Sequence, residues 1–153
     1  AVVTDVAALV RTQKSFRDVR LDTEVQGDLH AVLPGPRLTQ VLLNLVLNAG
    51  AAAAAGTRGD GATAGERRGG RVVVRARRDG AAVRIEVEDD GPGVDPGVRE
   101  RLFEPFVTTK EVGEGTGLGL AVCRGLVESV GGEIGLDASY TQGARFVVTL
   151  GAA

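Results

Sequence analysis

The chain reads as an α/β domain, a mixed and mainly antiparallel sheet of about five strands with three main helices on one face. Three observations predict it. Strand-like segments recur at residues 19–25, 71–78, 82–89, 133–137 and 144–150, several alternating apolar and polar residues with period two. Segments with helical spacing of apolar residues fall at 4–15, 36–54 and 117–130. The order helix, strand, helix, two strands, helices, two strands suits one sheet with its helices in a single layer.

Each element has its own signals. Thr4 or Asp5 caps the first helix, whose apolar face is Val6, Leu9 and Val10. Val19, Leu21, Thr23 and Val25 alternate with Arg20, Asp22 and Glu24, a half-buried strand. Ala31-Val32-Leu33 is a short extended piece ending at Pro34-Gly35. Pro36 can open a long helix to about Ala54. Residues 56–70, rich in glycine and without apolar period, predict a surface loop. Two strands then meet at Asp79-Gly80, a hairpin turn. Asp95-Pro96 opens a short helix through Leu102, and Gly131-Gly132 stops the last helix.

Composition narrows the function. A chain of 153 residues suits one domain with a proper core. Hydrophobic residues at 43% and charged ones at 25% describe a globular protein. Aromatics are only 3%, with no Trp, so Val, Leu, Ile and Ala must build the core. A net charge of -2 argues against a general nucleic-acid or anionic-membrane binder. The arginines at 67, 68, 71, 75, 77 and 78 alternate with apolar residues and read as a solvated sheet face. Cys123 stands alone, which excludes a disulfide framework or thiolate metal cage and fits a reducing cytosol. No apolar run reaches transmembrane length and no signal peptide is visible. The chain starts at Ala1 and has no Met, so we expect a single domain, residues 1–153, excised from a longer protein.

Gln40, Asn44 and Asn48 stand out as polar in a helix that is hydrophobic nearly all round. Spaced four apart, they form one stripe. A buried amide is costly unless partnered. Carboxamide oxygens on a rigid helix suit a hard cation and its waters, or a polyphosphate. A polar seam bonded to neighbouring backbone fits the stripe equally well.

Three further segments carry candidate chemistry. Asp89-Asp90-Gly91-Pro92-Gly93 ends the strand Val83-Ile85-Val87. A carboxylate there can accept from an exocyclic amine while Gly91 and Gly93 let backbone approach a flat base; the same residues also make an ordinary turn. Gly113 to Leu120 alternates glycine with other residues and runs into a helix, which exposes N–H donors for an anion. It is neither a Walker loop nor a dinucleotide fingerprint, and a flexible hinge is the alternative. In Leu102 to Lys110, Phe103 and Phe106 precede two threonines and a lysine. The aromatics can anchor a loop to the core, and Lys110 is placed to act as a mobile positive charge. His30, the only histidine, reads as a surface or turn residue.

Together these segments resemble the catalytic, ATP-binding domain of bacterial sensor histidine kinases, within the superfamily of gyrase, chaperone, kinase and mismatch-repair ATPases with the Bergerat fold. Gln40 to Ala53 resembles the N box and Asp89-Asp90-Gly91-Pro92-Gly93 the first glycine box. Leu102 to Lys110 resembles the F box, and Gly115-Thr116-Gly117-Leu118-Gly119-Leu120 the second glycine box. Gln142 to Phe146 matches the final glycine motif loosely. The similarity covers roughly residues 4–150.

The resemblance implies a two-layer α/β sandwich that binds ATP and Mg²⁺. Asp89, with Gly91 and Gly93 beside it, would bind the adenine amino group. Asn48 would coordinate Mg²⁺, with Asn44 supporting phosphate or metal-bound water. Residues from about 95 to 116 would form a lid, including Phe106, Lys110, Gly115 and Thr116; Lys110 and the amides of Gly117, Leu118 and Gly119 would lie near the terminal phosphates. Asn44 and Lys110 are thus the implied catalytic residues. The γ-phosphoryl group would pass to a histidine on a separate dimeric helical domain, then to an Asp of a response regulator receiver domain. The resemblance further implies a monomeric, cytoplasmic domain without nucleic-acid or membrane contact, in a protein either soluble or anchored in the inner membrane.

Some residues depart from the pattern. Ala51 stands where many members carry a basic residue, and Ala144-Arg145 follows Gly143 in place of the usual small hydroxyl residue. No phosphoacceptor helix is visible, so this chain alone is expected to bind ATP without autophosphorylating. An ATP-hydrolysing switch of the same superfamily is the rival reading. Those enzymes place a Glu four residues before the metal Asn; here that position is Asn44, and a neutral amide is no general base. A degenerate module that binds nucleotide without catalysis is the third, with Ala51 its best support.

Overall fold

The computed structural model describes residues 2–13, 16, 19–27, 29–57, 70–94, 97, 101–104 and 119–153. Helix α1 (Val2–Arg11) starts two residues earlier than expected and stops four earlier. The Thr12 hydroxyl turns back onto the Leu9 carbonyl at 2.7 Å, and the Gln13 N–H onto Val10 at 2.9 Å, which closes the last turn. Val6, Ala7 and Val10 are buried, whereas Leu9, expected on the apolar face, is 49% exposed. Arg11 donates across to the Leu21 carbonyl at 2.9 Å and so fixes the helix against β1 (Val19–Val25).

Helix α2 (Gly35–Thr57) runs 23 residues, about 34 Å. It passes beyond Ala54 because the alanine run carries the best helix propensity available. Val41, Leu42, Leu45, Val46, Ala49 and Ala53 are all buried, so α2 is the middle of the helical layer. Gly50 is what allows Phe16 to lie flush on it, since a Cβ there would overlap the Phe16 ring.

β2 (Gly70–Asp79) and β3 (Ala82–Asp89) form the expected hairpin, closed by Gly80-Ala81 with Gly80 at φ 63°. Helix α3 (Gly119–Glu128) ends at Gly131, φ 76°, where the Gly132 N–H returns to the Val127 carbonyl at 3.0 Å. β4 (Glu133–Leu136) and β5 (Ala144–Gly151) complete the sheet. The strand order is β1-β2-β3-β5-β4, with β1 parallel to β2 and every other pair antiparallel. Residues 31–33 contribute a single bridge, Ala31 to Ala152. β3 is therefore central, and its end at Asp89 is covered on both sides.

The sheet buries Val72, Val74, Ala76, Val83, Ile85, Val87, Phe146, Val148 and Leu150 in the common core. Its other face carries stripes of alternating charge, and the expected solvated arginine face is found here as a paired lattice. Arg71 binds Asp22 at 3.1 Å, and Arg75 reaches Glu24 at 2.9 Å and also Glu88. Arg145 reaches Glu88 at 2.7 Å and Asp137 at 3.2 Å. Burial alone would raise the Glu88 pKa, but hydrogen bonds from Arg145 and Arg75 outweigh it and hold the carboxyl below its ordinary range. His30 is exposed as expected, and its carbonyl accepts from Ala153.

Residues 58–69 of the glycine-rich segment lie outside the described residues, as does most of the short helix expected from Asp95-Pro96. Gly97 is helical and residues 101–103 form a turn. Among the described residues, no helix is long and apolar enough to cross a membrane.

Candidate nucleotide site

The polar stripe of α2 is present in the fold: Gln40 is exposed, and Asn44 and Asn48 are half-buried. It continues one turn further to Ala52, and there it meets the end of β3. A Cβ on Gly91 would overlap the Ala52 carbonyl oxygen, so the turn after Asp89 lies directly against the α2 backbone. Asn48 precedes Ala52 by about 6 Å along the axis, and Asn44 by about 12 Å. The helix thus lines up two carboxamides behind the β3 terminus.

Of the two adjacent aspartates there, only Asp89 points inward. It is 3% exposed, and its Oδ1 accepts from the Gly91 N–H at 2.9 Å. The Ala144 N–H is a second donor. Asp90 is exposed and closes the end of the β2–β3 ladder by accepting from the Arg71 N–H at 2.8 Å. The ordinary turn and the buried carboxylate are thus both real, made by neighbouring residues. Burial pushes the Asp89 pKa up to about 6; the two backbone donors oppose the shift, and the charges of Asp90 and Glu88 add to it. Among the described residues no cation pairs with it. Gly143 closes the other side, because a Cβ there would overlap the Asp89 carbonyl. The walls around this carboxylate are mostly backbone, from α2, the Gly91 turn and the Gly143 turn.

Asn44 is also a seam residue. It shares a hydrogen bond with the thiol of Cys123 on α3, which is fully buried and donates to the Val41 carbonyl at 3.6 Å. Burial pushes that thiol up to about 11. Phe103 anchors its turn to the core, edge-on to Phe146 with centroids 6.1 Å apart. Gly119 opens α3 and is exposed, while Phe106, Lys110, Gly115, Thr116, Gly117 and Leu118 lie outside the described residues. Gly93, at φ 79°, faces the Gly143 carbonyl, where a Cβ would stand at 3.3 Å.

Two residues around Asp89, Glu88 and Tyr140, were not singled out in the sequence, and a third, Arg145, stood there only as a departure from the final glycine motif. They lie about its backbone, with the Tyr140 hydroxyl donating to the Asp89 carbonyl at 3.3 Å. The available signal was charge complementarity between neighbouring strands, with the chain's sole tyrosine just before Gly143.

The donor set fits a nucleotide with its metal. A buried carboxylate suits an amine, and carboxamide oxygens suit a hard cation. Among the described residues no group of three His, Cys, Asp or Glu side chains could hold a metal alone.

A sheet backed by one helical layer, with an asparagine helix leading to a buried strand-end carboxylate, is the arrangement that the resemblance to ATP-binding domains of the kinase, gyrase and chaperone type implies. The family described as Histidine kinase-, DNA gyrase B-, and HSP90-like ATPase matches residues 35–153, and the chain belongs to it. The sensor histidine kinase ZraS of Escherichia coli O157:H7 is 39% identical over 143 residues, 93% of this chain and 28% of that protein. The chain therefore spans little more than a quarter of that relative's length. The catalytic domain of histidine kinase ThkA superposes with a TM-score of 0.79 at 28% identity, covering 98% of this chain and 90% of that one. Full-length ShkA in complex with AMPPNP matches with a TM-score of 0.78 at 32% identity, covering 99% of this chain and 29% of that one. The fold is that of histidine kinase catalytic domains.

Proposed function

We propose that this chain is a single catalytic domain of a sensor histidine kinase, which binds Mg²⁺–ATP and donates the γ-phosphoryl group to a histidine on a separate dimeric helical domain. The observation that carries the reading is the buried Asp89 carboxylate, unpaired with any cation among the described residues, at the end of the Asn44–Asn48–Ala52 line. A carboxylate held by backbone donors alone keeps acceptor capacity for an exocyclic amine.

Asp89 orients the base, and the Gly91 and Gly93 turns allow it to lie close to the backbone. Asn48 would hold Mg²⁺ through its carboxamide oxygen, and the ion would supply charge neutralisation between the phosphates. Asn44, tied to Cys123, presents an oriented amide to phosphate or metal-bound water. Phe106, Lys110 and Gly115 to Gly119 would cover and neutralise the phosphates. Positioning and electrostatics then carry most of the catalysis. Asn44 offers no base to activate water, which supports transfer over hydrolysis. The phosphoryl group would pass on to a response regulator receiver domain; ThkA was itself solved with the response regulator TrrA. This assigns the domain to the cytoplasm, monomeric in isolation, in a protein either soluble or anchored in the inner membrane.

The test mixes the chain with its phosphoacceptor domain, Mg²⁺ and labelled ATP. Acid-labile, base-stable label on the acceptor is expected. Steady phosphate release without label would instead indicate an ATP-hydrolysing switch, and neither result a binding module. Asn48→Ala is expected to abolish metal-dependent ATP binding, and normal transfer by that variant would sink the metal assignment.

A further inference from the structure

The backbone of Asp89 is held by a clasp that the nucleotide reading does not require. Tyr140 donates its hydroxyl to the Asp89 main-chain carbonyl at 3.3 Å. The guanidinium of Arg145 caps the Tyr140 ring, 4.3 Å from its centroid. That guanidinium is oriented in turn by carboxylates: two nitrogens reach Glu88 Oε2 at 2.7 and 3.1 Å, and a third reaches Asp137 at 3.2 Å. Asp137 also organises the turn that carries the tyrosine, accepting from the Ser139 N–H at 3.0 Å and the Ser139 hydroxyl at 2.6 Å. Glu88 is further pinned by Arg75.

The consequence lies in direction. Glu88 and Asp89 are consecutive in a strand, so their side chains leave on opposite faces. Locking Glu88 on the charged face, and the Asp89 carbonyl from the side, fixes the rotation of the Asp89 peptide. On that fixed backbone the Gly91 and Ala144 N–H donors orient the inward carboxylate. Ala144 offers Asp89 only a backbone N–H, so no neighbouring hydroxyl at that position shares the task. Hydrogen bonds weaken steeply with misalignment. A fixed carboxylate accepts from an exocyclic amine, whereas it faces the 6-carbonyl of a guanine as one acceptor against another.

We infer that Tyr140, held by Arg145 and Glu88, is a specificity-determining positioning residue: by fixing the Asp89 backbone it makes the site accept a 6-amino purine and reject a 6-keto purine. The inference rests on Asp89 being the base-binding residue. Arg145 and Glu88 act through Tyr140 and touch no ligand.

The experiment is calorimetric titration of the chain with Mg²⁺–ATP and Mg²⁺–GTP. Tyr140→Phe keeps the ring beneath Arg145 and removes only the hydroxyl. Its ATP affinity is expected to fall about 3- to 10-fold, the worth of one hydrogen bond, with GTP affinity unchanged, so the ATP:GTP ratio falls by the same factor. Arg145→Gln, which frees the ring, is expected to lower the ratio likewise. An unchanged ratio in Tyr140→Phe, including an equal loss for both nucleotides, overturns the inference. Asp89→Asn in parallel separates the two failures. If it loses ATP binding while Tyr140→Phe leaves the ratio intact, the base reading stands and the clasp falls. Wild-type ATP affinity in Asp89→Asn overturns both.

Discussion

Gly143 packs against Asp89 so closely that no side chain can stand between the β5 turn and the Asp89 carbonyl. Sheet pairing brings the two together, because Ala144 is the register partner of Asp89 on β5. The glycine is there for space. Gly143→Ala must push the turn off the strand end, and overpacking of this kind costs about 2 kcal/mol. The expected drop in melting temperature is about 4–8 °C, with a parallel loss of ATP affinity. A melt superimposable on wild type would show that the turn yields freely and that the contact sets nothing.

Asp89 stabilises function at the expense of the fold. Its folded pKa of about 6 lies above the ordinary 3.8, so the folded chain holds this proton more tightly than the unfolded one. The stability it contributes is complete below the ordinary value and is lost as pH rises through about 6. At neutral pH the domain therefore carries a buried, unpaired charge. Asp89→Asn keeps an oxygen for the Gly91 and Ala144 donors and carries no charge. It is expected to melt about 2–6 °C above wild type at neutral pH, with the gain shrinking in acid, while ATP binding disappears. A variant less stable than wild type at neutral pH would mean that the carboxylate is not strained.

The same titration should appear in binding. Above about 6 the carboxyl is an acceptor; below it the carboxyl is protonated and half of that capacity is lost. ATP affinity is expected to decline as pH falls through the fifth and sixth units, by about tenfold per unit at its steepest. GTP, which presents a 6-carbonyl in place of the 6-amine, has no hydrogen bond to that carboxylate to lose, and its affinity should not show this decline. Parallel profiles for the two nucleotides would remove Asp89 from base recognition.

The fold was legible because its signals are local. Period-two alternation marked β1 and β2, Gly80 marked the hairpin, and Gly131 marked the end of α3. Boundaries slipped where local details finer than the apolar period decided them: Thr12 and Gln13 closed α1 by folding back onto Leu9 and Val10, and an alanine run carried α2 past its expected end. The site was partly legible for the same reason. Asn44, Asn48 and Asp89 are conspicuous because each opposes its surroundings, a polar group on an apolar element. Glu88, Tyr140 and Arg145 oppose nothing locally, since each is an unremarkable residue on a charged strand face or in a turn. Their role exists only in the register that sets β5 beside β3, and no single segment carries that register.

Asn44 and Cys123 give the last expectation. The thiol is fully buried between α2 and α3, and its pKa stands near 11. A thiolate is the reactive form, so the native chain should resist a thiol reagent at neutral pH and react only as fast as it opens. The native rate is expected to be at least about 100-fold below that in denaturant. Cys123→Ala removes the partner of the Asn44 amide and leaves a small void, for about 1–2 kcal/mol. If Asn44 needs that partner to face the phosphates, phosphotransfer will fall further than stability does, and Cys123→Ser, which restores a hydrogen-bonding group, will recover part of it. Fast native labelling of Cys123 would show that α3 lifts from α2 in the resting domain, and would remove the thiol as a fixed support for Asn44.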